Sequence, residues 1–236
     1  MRVQVGTSGY AYKEWKGTFY PADLKPDGFL PFYAGRFGTV EINATFYRMP
    51  TEKVLMQWAA QVPDDFTFVL KASQRITHRK RLKECGEELQ YFLRTANVLG
   101  PRLGPTLFQL PPNMKKDLPR LQDFLTMVPH TWRAAFEFRH ASWFDDEVFG
   151  LLRAHNVALV AADTDPEESE LAVPFVPTAD WGYLRLRRAG YEAAALRGWA
   201  ERIQAAPWSE AFVFFKHEDE GTGPRLAAEF MTILER

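Results

Sequence analysis

The feature that most constrains this chain is a regular alternation of short apolar runs with segments of helical period. Val3 to Thr7, Thr39 to Asn43, Phe66 to Lys71 and Thr106 to Leu110 read as strands. So do Arg133 to Phe138, Val157 to Ala162, Tyr183 to Leu186 and Ala211 to Phe215. Helical stretches fall between them. Phe29 to Phe37 is the first, and Val54, Leu55, Trp58, Ala59 and Val62 recur at spacings of three and four. Leu82, Cys85, Leu89, Phe92, Leu93 and Ala96 form one apolar stripe. Leu118 to Met127, Asp145 to His155, Tyr191 to Ala205 and Gly223 to Arg236 complete the series.

Repeated βα units imply parallel strands joined by right-handed crossovers. Eight of them in 236 residues predict a closed (β/α)8 TIM-like barrel formed by one domain over residues 1–236. The rival, a doubly wound open sheet, would carry a dinucleotide fingerprint at its first βα turn. The turn here, Gly6-Thr7-Ser8-Gly9-Tyr10, lacks one. The sixth βα unit is irregular, because Thr164 to Asp180 holds three prolines and no clean helical period.

Composition narrows the class. With 46% hydrophobic residues and a net charge of -1, the chain is neither disordered nor a polybasic binder of nucleic acid or membrane surface. The lone Cys85 excludes a disulfide framework and fits a reducing compartment. No apolar run approaches the roughly 20 residues that span a bilayer. Met1 to Val5 leads directly into a strand without a signal-peptide core, so a cytoplasmic location is expected.

In such a barrel the chemistry sits on the loops at the carboxyl ends of the strands. The predicted ends hold Ser8, Glu41 and Asn43, then Lys71, Gln109, Glu137, Arg139 and His140. Asp163, Arg185, Arg187, Lys216 and His217 follow on the last three. Charged side chains are rarely buried unless paired, so this ring is either a set of structural ion pairs or a ligand pocket. Glu41, Glu137 and Asp163 are the candidate general acid/base groups. The candidate ligand contacts are Tyr10, Asn43, Lys71, His78, Gln109, Arg139, His140, Trp143, Arg185 and Lys216.

Charge is unevenly spread. Lys71 to Lys83 is basic throughout, whereas Asp163 to Glu170 is acidic. A local positive field over a pocket attracts phosphate or carboxylate, and arginine forks recognise both. Glu41, Glu137, Asp163 and His217 could converge on a metal, yet no close-spaced His/Cys pattern accompanies them, and no metal is expected. No nucleophile elbow, phosphate-binding glycine loop or HExxH motif is present, and no cofactor is indicated.

Several ordered blocks resemble one known family. They are Gly6-Thr7-Ser8-Gly9-Tyr10, Trp15-Lys16-Gly17, Phe19-Tyr20-Pro21, Val40 through Arg48, and Phe66 to Lys71 with Thr77-His78. Gln109-Leu110-Pro111-Pro112 and Glu137 through Phe144 continue the match in order. The chain is similar to the domain of unknown function 72 family, also called YecE-like. The resemblance implies a (β/α) barrel and a pocket containing Glu41, Asn43, Lys71, His78, Gln109, Glu137, Arg139, His140 and Asp163. It implies no particular activity. Two departures stand out. The family's seventh strand commonly ends Arg-x-His-Gly, where this chain has Arg185-Leu186-Arg187-Arg188. Its eighth often ends in paired asparagines, where Lys216-His217 stands here. Both changes make the mouth more basic.

The expectation is therefore a barrel that binds, and acts on, a small anionic ligand that is phosphorylated or sugar-like. A nucleic-acid-binding or phosphodiester-cleaving barrel is the second reading, resting on the basic loop beside aromatic residues. A non-catalytic binder of an anionic metabolite is the third.

Overall fold

The computed structural model describes residues 1–167 and 171–235. Its strands are β1 (Arg2–Thr7), β2 (Thr39–Ile42), β3 (Thr67–Lys71), β4 (Leu103–Gln109), β5 (Ala134–Glu137), β6 (Ala158–Asp163), β7 (Trp181–Leu186) and β8 (Glu210–Phe215). They form one parallel eight-stranded sheet in the order β1-β8-β7-β6-β5-β4-β3-β2. The helices are α1 (Phe29–Ala34), α2 (Ala44–Tyr47), α3 (Glu52–Ala59), α4 (Gly86–Ala96), α5 (Leu118–Met127), α6 (Asp146–Ala154), α7 (Ala193–Ala205) and α8 (Thr222–Leu234). The expected TIM-like barrel is observed. No helix among the described residues separates β6 from β7, as the prolines of that stretch require.

Two element starts differ most from the sequence expectation. Strand β4 begins at Leu103 rather than Thr106, because the β3–β4 register shifts between Phe68 and Leu70 and so accommodates Pro105, which has no N–H to donate. Helix α4 begins at Gly86, not Leu82. The chain from 75 to 84 instead makes a π-helical turn (Arg75–Arg79), followed by Arg81, Leu82 and Glu84 with φ of 49°, 65° and 50°. Leu82 and Cys85 are still buried, but from this turn and not from the helix stripe. The short α2 has too few residues to show a period.

Alternation along the strands sorts side chains into two shells. Val69, Leu107, Ala135, Ala158, Val160, Trp181, Tyr183, Phe212 and Phe214 form a separate cluster inside the barrel. Their strand neighbours, including Phe68, Leu70, Phe108, Phe136, Leu159, Leu184 and Val213, pack outward with the helices. The barrel floor is closed by Glu210, which accepts from Gln4 at 2.7 Å and from Arg133 at 2.5 Å.

The seam between β1 and β2 carries no regular ladder. It closes through a parallel bridge between Ser8 and Glu41, with Gly9 N–H donating to the Glu41 carbonyl at 2.7 Å. Below this bridge the backbones approach so closely that a Cβ at Gly6 would lie 2.2 Å from the Thr39 carbonyl oxygen. Tyr33 of α1 supplies the missing pairing. Its hydroxyl accepts from Thr7 N–H at 2.8 Å and donates to the Thr39 carbonyl at 3.0 Å. Tyr33→Phe keeps the ring but leaves two buried backbone groups unpaired, so a loss of about 1–3 kcal/mol is expected in urea unfolding. An unchanged midpoint and slope would show that the seam closes without this hydroxyl.

Candidate functional site

The strand alternation that fills the barrel also selects what stands at its mouth. Two residues beyond Val69, Leu107, Ala135 and Tyr183 come Lys71, Gln109, Glu137 and Arg185. Glu41 holds the corresponding position on β2, between the outward-packed Val40 and Ile42. These five side chains form one connected buried network.

Arg185 is its hub. One terminal guanidinium nitrogen donates to Glu137 Oε2 at 2.5 Å and the other to Glu41 Oε1 at 2.9 Å. Glu41 also accepts from Ser8 Oγ at 2.7 Å and from Tyr183 Oη at 2.6 Å. Glu137 Oε1 accepts from Gln109 Nε2 at 2.8 Å and Arg139 Nε at 3.0 Å. Because a carboxylate only accepts, Gln109 must turn its amide nitrogen to Glu137 and its oxygen to Lys71, whose Nζ donates to it at 2.8 Å. Lys71 Nζ also lies 4.2 Å from the centre of the Phe46 ring.

Burial would push both carboxyl groups upward. For Glu137 the Arg185, Arg139 and Lys71 cations outweigh that effect and hold it far below the usual carboxylate range. For Glu41, Arg185 and the Ser8 and Tyr183 hydroxyls do the same. Lys71 shows the opposite balance. Burial and the Arg185 and Arg139 charges depress its ammonium to about 7, against the partial compensation of Glu137 and Glu41. Among the described residues it makes no ion pair, and its one hydrogen-bond acceptor is the neutral Gln109 amide.

The other expected site residues divide into groups. His78 stands edge-on to Phe46 with ring centres 4.8 Å apart, and bonds Thr77 Oγ1 at 2.9 Å through Nδ1. Burial and the Lys71 charge lower its pKa to about 4, so it is neutral at pH 7. Asn43 lies between β2 and α2 with a buried Nδ2 that has no hydrogen-bond partner. Tyr10 packs against Tyr33, and burial raises its hydroxyl to about 12. Lys216 follows β8 half-buried; burial and Arg187 lower its pKa.

Trp143 and His140 serve the β5–α6 loop. Trp143 is fully buried, stacks on Phe138 at 4.7 Å and donates to the Met114 carbonyl at 2.7 Å. His140 Nδ1 accepts from Ser142 N–H at 3.1 Å and caps the short turn that carries Trp143. Asp163 has the wrong strand parity for the mouth. It follows Leu159 and Ala161 on the helix-facing side, where it accepts from Trp199 Nε1 of α7 at 3.0 Å and from Arg188 at 2.8 Å. It makes no hydrogen bond with Glu41 or Glu137. Arg185, expected as a ligand contact, has both terminal nitrogens occupied by carboxylates.

Beside this network opens a cleft of about 210 Å³, lined by Glu137, Arg139, Thr164, Leu171, Val173 and Arg187 among others. Arg187, expected at the end of β7, lines this cleft. It lies two residues beyond Arg185, and inward parity marks it. Tyr183 is an addition that only its strand position reveals, while Ser8, expected at the end of β1, joins the network as a donor to Glu41. Among the described residues no group of three or more His, Cys, Asp or Glu comes together in a way that could hold a metal ion. Arg185 stands between the two glutamates that a metal would need.

The basic segment is partly neutralised: Lys80 pairs with Glu88 at 2.8 Å, Lys83 with Glu84 at 3.7 Å, and Arg81 bonds Asn113 at 3.1 Å. Of the acidic stretch Asp163 to Glu170, residues 168–170 lie outside the described residues. No described helix is long and apolar enough to cross a membrane.

Known proteins share this architecture. The crystal structure of a DUF72 family protein from Thermotoga maritima superposes with a TM-score of 0.87 at 30% identity, covering all of both chains. A second DUF72 family structure, from Enterococcus faecalis, gives 0.80 at 19% identity over all of this chain and 98% of that one, a likeness of fold. The UPF0759 protein YecE of Escherichia coli is 35% identical over 116 residues, which are 49% of this chain and 43% of that protein. The match thus spans less than half of that curated relative. The UPF0759 protein YunF of Bacillus subtilis is 23% identical over 230 residues, 92% of this chain and 79% of YunF. The model of the protein family of unknown function DUF72 matches residues 4–236. The chain belongs to the DUF72 family, the UPF0759 or YecE-like barrel proteins.

Proposed function

We propose that the barrel mouth binds a small anionic ligand, bearing a carboxylate or phosphate, in the cleft between Arg139 and Arg187. The observation that carries this reading is the charge balance of that cleft. Two arginines line it, and the one carboxylate among its described lining residues, Glu137, already accepts from Arg185, Arg139 and Gln109. The cationic side chains of Arg139 and Arg187 thus give an excess of positive charge among the described residues that line the cleft. A low-dielectric pocket magnifies such an excess. The unpartnered Nδ2 of Asn43 adds a donor to the same face.

In this reading Glu41 and Glu137 do not exchange protons, because both are held ionised and fully hydrogen-bonded. They fix Arg185, and through Glu137 the side chain of Arg139, in one orientation. Preorganised cations lose little entropy when the anion arrives.

Calorimetric titration with inorganic phosphate and with pyruvate tests the assignment. Arg139→Gln and Arg187→Gln should each weaken the bound probe ten- to hundred-fold, the equivalent of about 1.5–3 kcal/mol for a charged hydrogen bond. Affinities equal to the wild type in both variants would remove the cleft from the account.

A further inference from the structure

We propose that Lys71 is an amine nucleophile and that the ligand of the mouth is a small aldehyde or ketone carrying a carboxylate or phosphate. The inference rests on the anion-binding reading above and adds a reacting group to it.

A lysine meant only to attract an anion would be left hydrated, or would be paired with a carboxylate in the ligand's absence. Lys71 is neither. It ends β3 inside the mouth at 8% exposure, with two glutamates in the same network, and both of those are claimed by Arg185. Gln109 intervenes: its amide nitrogen is tied to Glu137, which presents a neutral oxygen to the lysine. Arg185 and Arg139 oppose an ammonium here, Glu137 and Glu41 offset them, and burial beside the Phe46 ring decides the balance against the charge. Holding an ammonium there costs folding free energy, so the position is unfavourable unless the neutral amine is what is wanted. The depressed pKa of about 7 agrees with this geometry.

The contacts also orient the amine. One N–H points to Gln109 Oε1, and the Phe46 ring face attracts a second, which leaves the lone pair on the remaining side. The chain of hydrogen bonds Lys71–Gln109–Glu137–Arg139 sets the amine two side chains from an arginine of the cleft. A short bifunctional ligand, with its anionic end on Arg139 and its carbonyl toward Lys71, satisfies both. Phe46 is in turn held by His78, which the π-helical turn Arg75–Arg79 sets edge-on against its ring.

The step balances without a further reactant. Neutral Nζ attacks the carbonyl carbon, and the carbonyl oxygen takes a proton that Nζ releases, giving a carbinolamine. The hydroxyl then departs as water with the second Nζ proton, leaving a C=N bond. One amine and one carbonyl become one imine and one water, with no change of oxidation state.

Reductive trapping tests this. The wild-type protein is incubated with pyruvate, glyoxylate or glyceraldehyde 3-phosphate, quenched with borohydride, and read by intact mass and peptide mapping; binding of the same probes is measured without reductant. A single adduct on Lys71, equal to the probe less one oxygen atom, is expected. It should be lost in Lys71→Arg and Lys71→Met, each checked for a cooperative thermal transition, and retained in Lys53→Arg on the surface. Its formation rate should rise with pH around a midpoint near 7. Probe binding without a Lys71 adduct, or labelling spread equally over the lysines, would overturn the nucleophile and leave the anion site standing. Failure of every carbonyl and non-carbonyl anion to bind would overturn both.

Discussion

Arg185→Met is expected to lower the melting temperature of the protein by roughly 6–20 °C. Arg185 is 2% exposed, and its two terminal nitrogens neutralise Glu137 and Glu41 from opposite sides. The intact trio need not be a large net source of stability, because taking three charges out of water costs about what their attraction returns. Removing only the cation is different. It leaves two carboxylates in the barrel with Ser8, Tyr183, Gln109 and Arg139 as their remaining donors. Breaking a buried pair in this way costs about 3–5 kcal/mol, and each kcal/mol moves the midpoint of a domain this size by about 2–4 °C. In a background where Glu41→Gln and Glu137→Gln have already removed the charges, the same arginine change should cost far less. Acidification gives a second check. In the wild type both carboxyl groups are depressed, so their stabilisation is present above the ordinary carboxylate range and is lost as the pH falls below it. In Arg185→Met burial acts with less opposition, and the deficit relative to wild type should shrink on acidification. Equal melting temperatures for wild type and variant at pH 7 would contradict the hub assignment.

Lys71 should make the protein more stable as the pH rises from 7 toward 10. Its folded pKa, about 7, lies below the ordinary lysine value of 10.5. Between those limits the unfolded chain binds more protons than the folded one, so unfolding free energy increases with pH. Below pH 7 both states carry the ammonium and the full burial penalty applies. Above 10.5 both are neutral and the penalty has gone. The groups around it are Arg185, Arg139, Glu137, Glu41 and His78; the arginines and carboxylates keep their charge across this window, and His78 stays neutral. The gain is on the order of a few kcal/mol. Buried tyrosines reverse the trend above pH 10, since their folded hydroxyls titrate later than unfolded ones, so the scan belongs below that pH. In Lys71→Met the rise between pH 7 and 10 should disappear. A parallel rise in variant and wild type would show that another group is responsible.

Much of this was legible in the residues. Apolar runs alternating with helical periods indicated the barrel, and the strand ends held Glu41, Lys71, Gln109, Glu137 and Arg185, which now form one network. Strand parity carried more information than residue type. Counting by two from Val69, Leu107 and Ala135 leads to Lys71, Gln109 and Glu137, while counting from Leu159 and Ala161 leads Asp163 out to Trp199. The same count puts Arg187 with Arg185. What the residues did not reveal was pairing. Arginine at the end of β7 reads as a ligand contact, and only the fold brings it between two glutamates that are 96 positions apart in sequence. Trp143 and His140 read as pocket residues because they follow a strand end. Their geometry is set by the loop, where a tryptophan stacked on Phe138 is worth more as packing. Leu82 and Cys85 share the period of α4, so the sequence puts them on its stripe, and a left-handed backbone at Leu82 has no signature in composition.

Thermal unfolding of the wild type at constant ionic strength, against a panel of ligands, tests the central claim most directly. The panel holds phosphate, pyruvate, glyceraldehyde 3-phosphate, neutral sugars of similar size and short oligonucleotides. The account predicts that small anions stabilise the protein, by about 2.7 kcal/mol at one hundred times the dissociation constant, while neutral sugars leave the midpoint where it was. Stabilisation by neutral sugars alone, by oligonucleotides alone with a steep salt dependence, or by no member of the panel would contradict it.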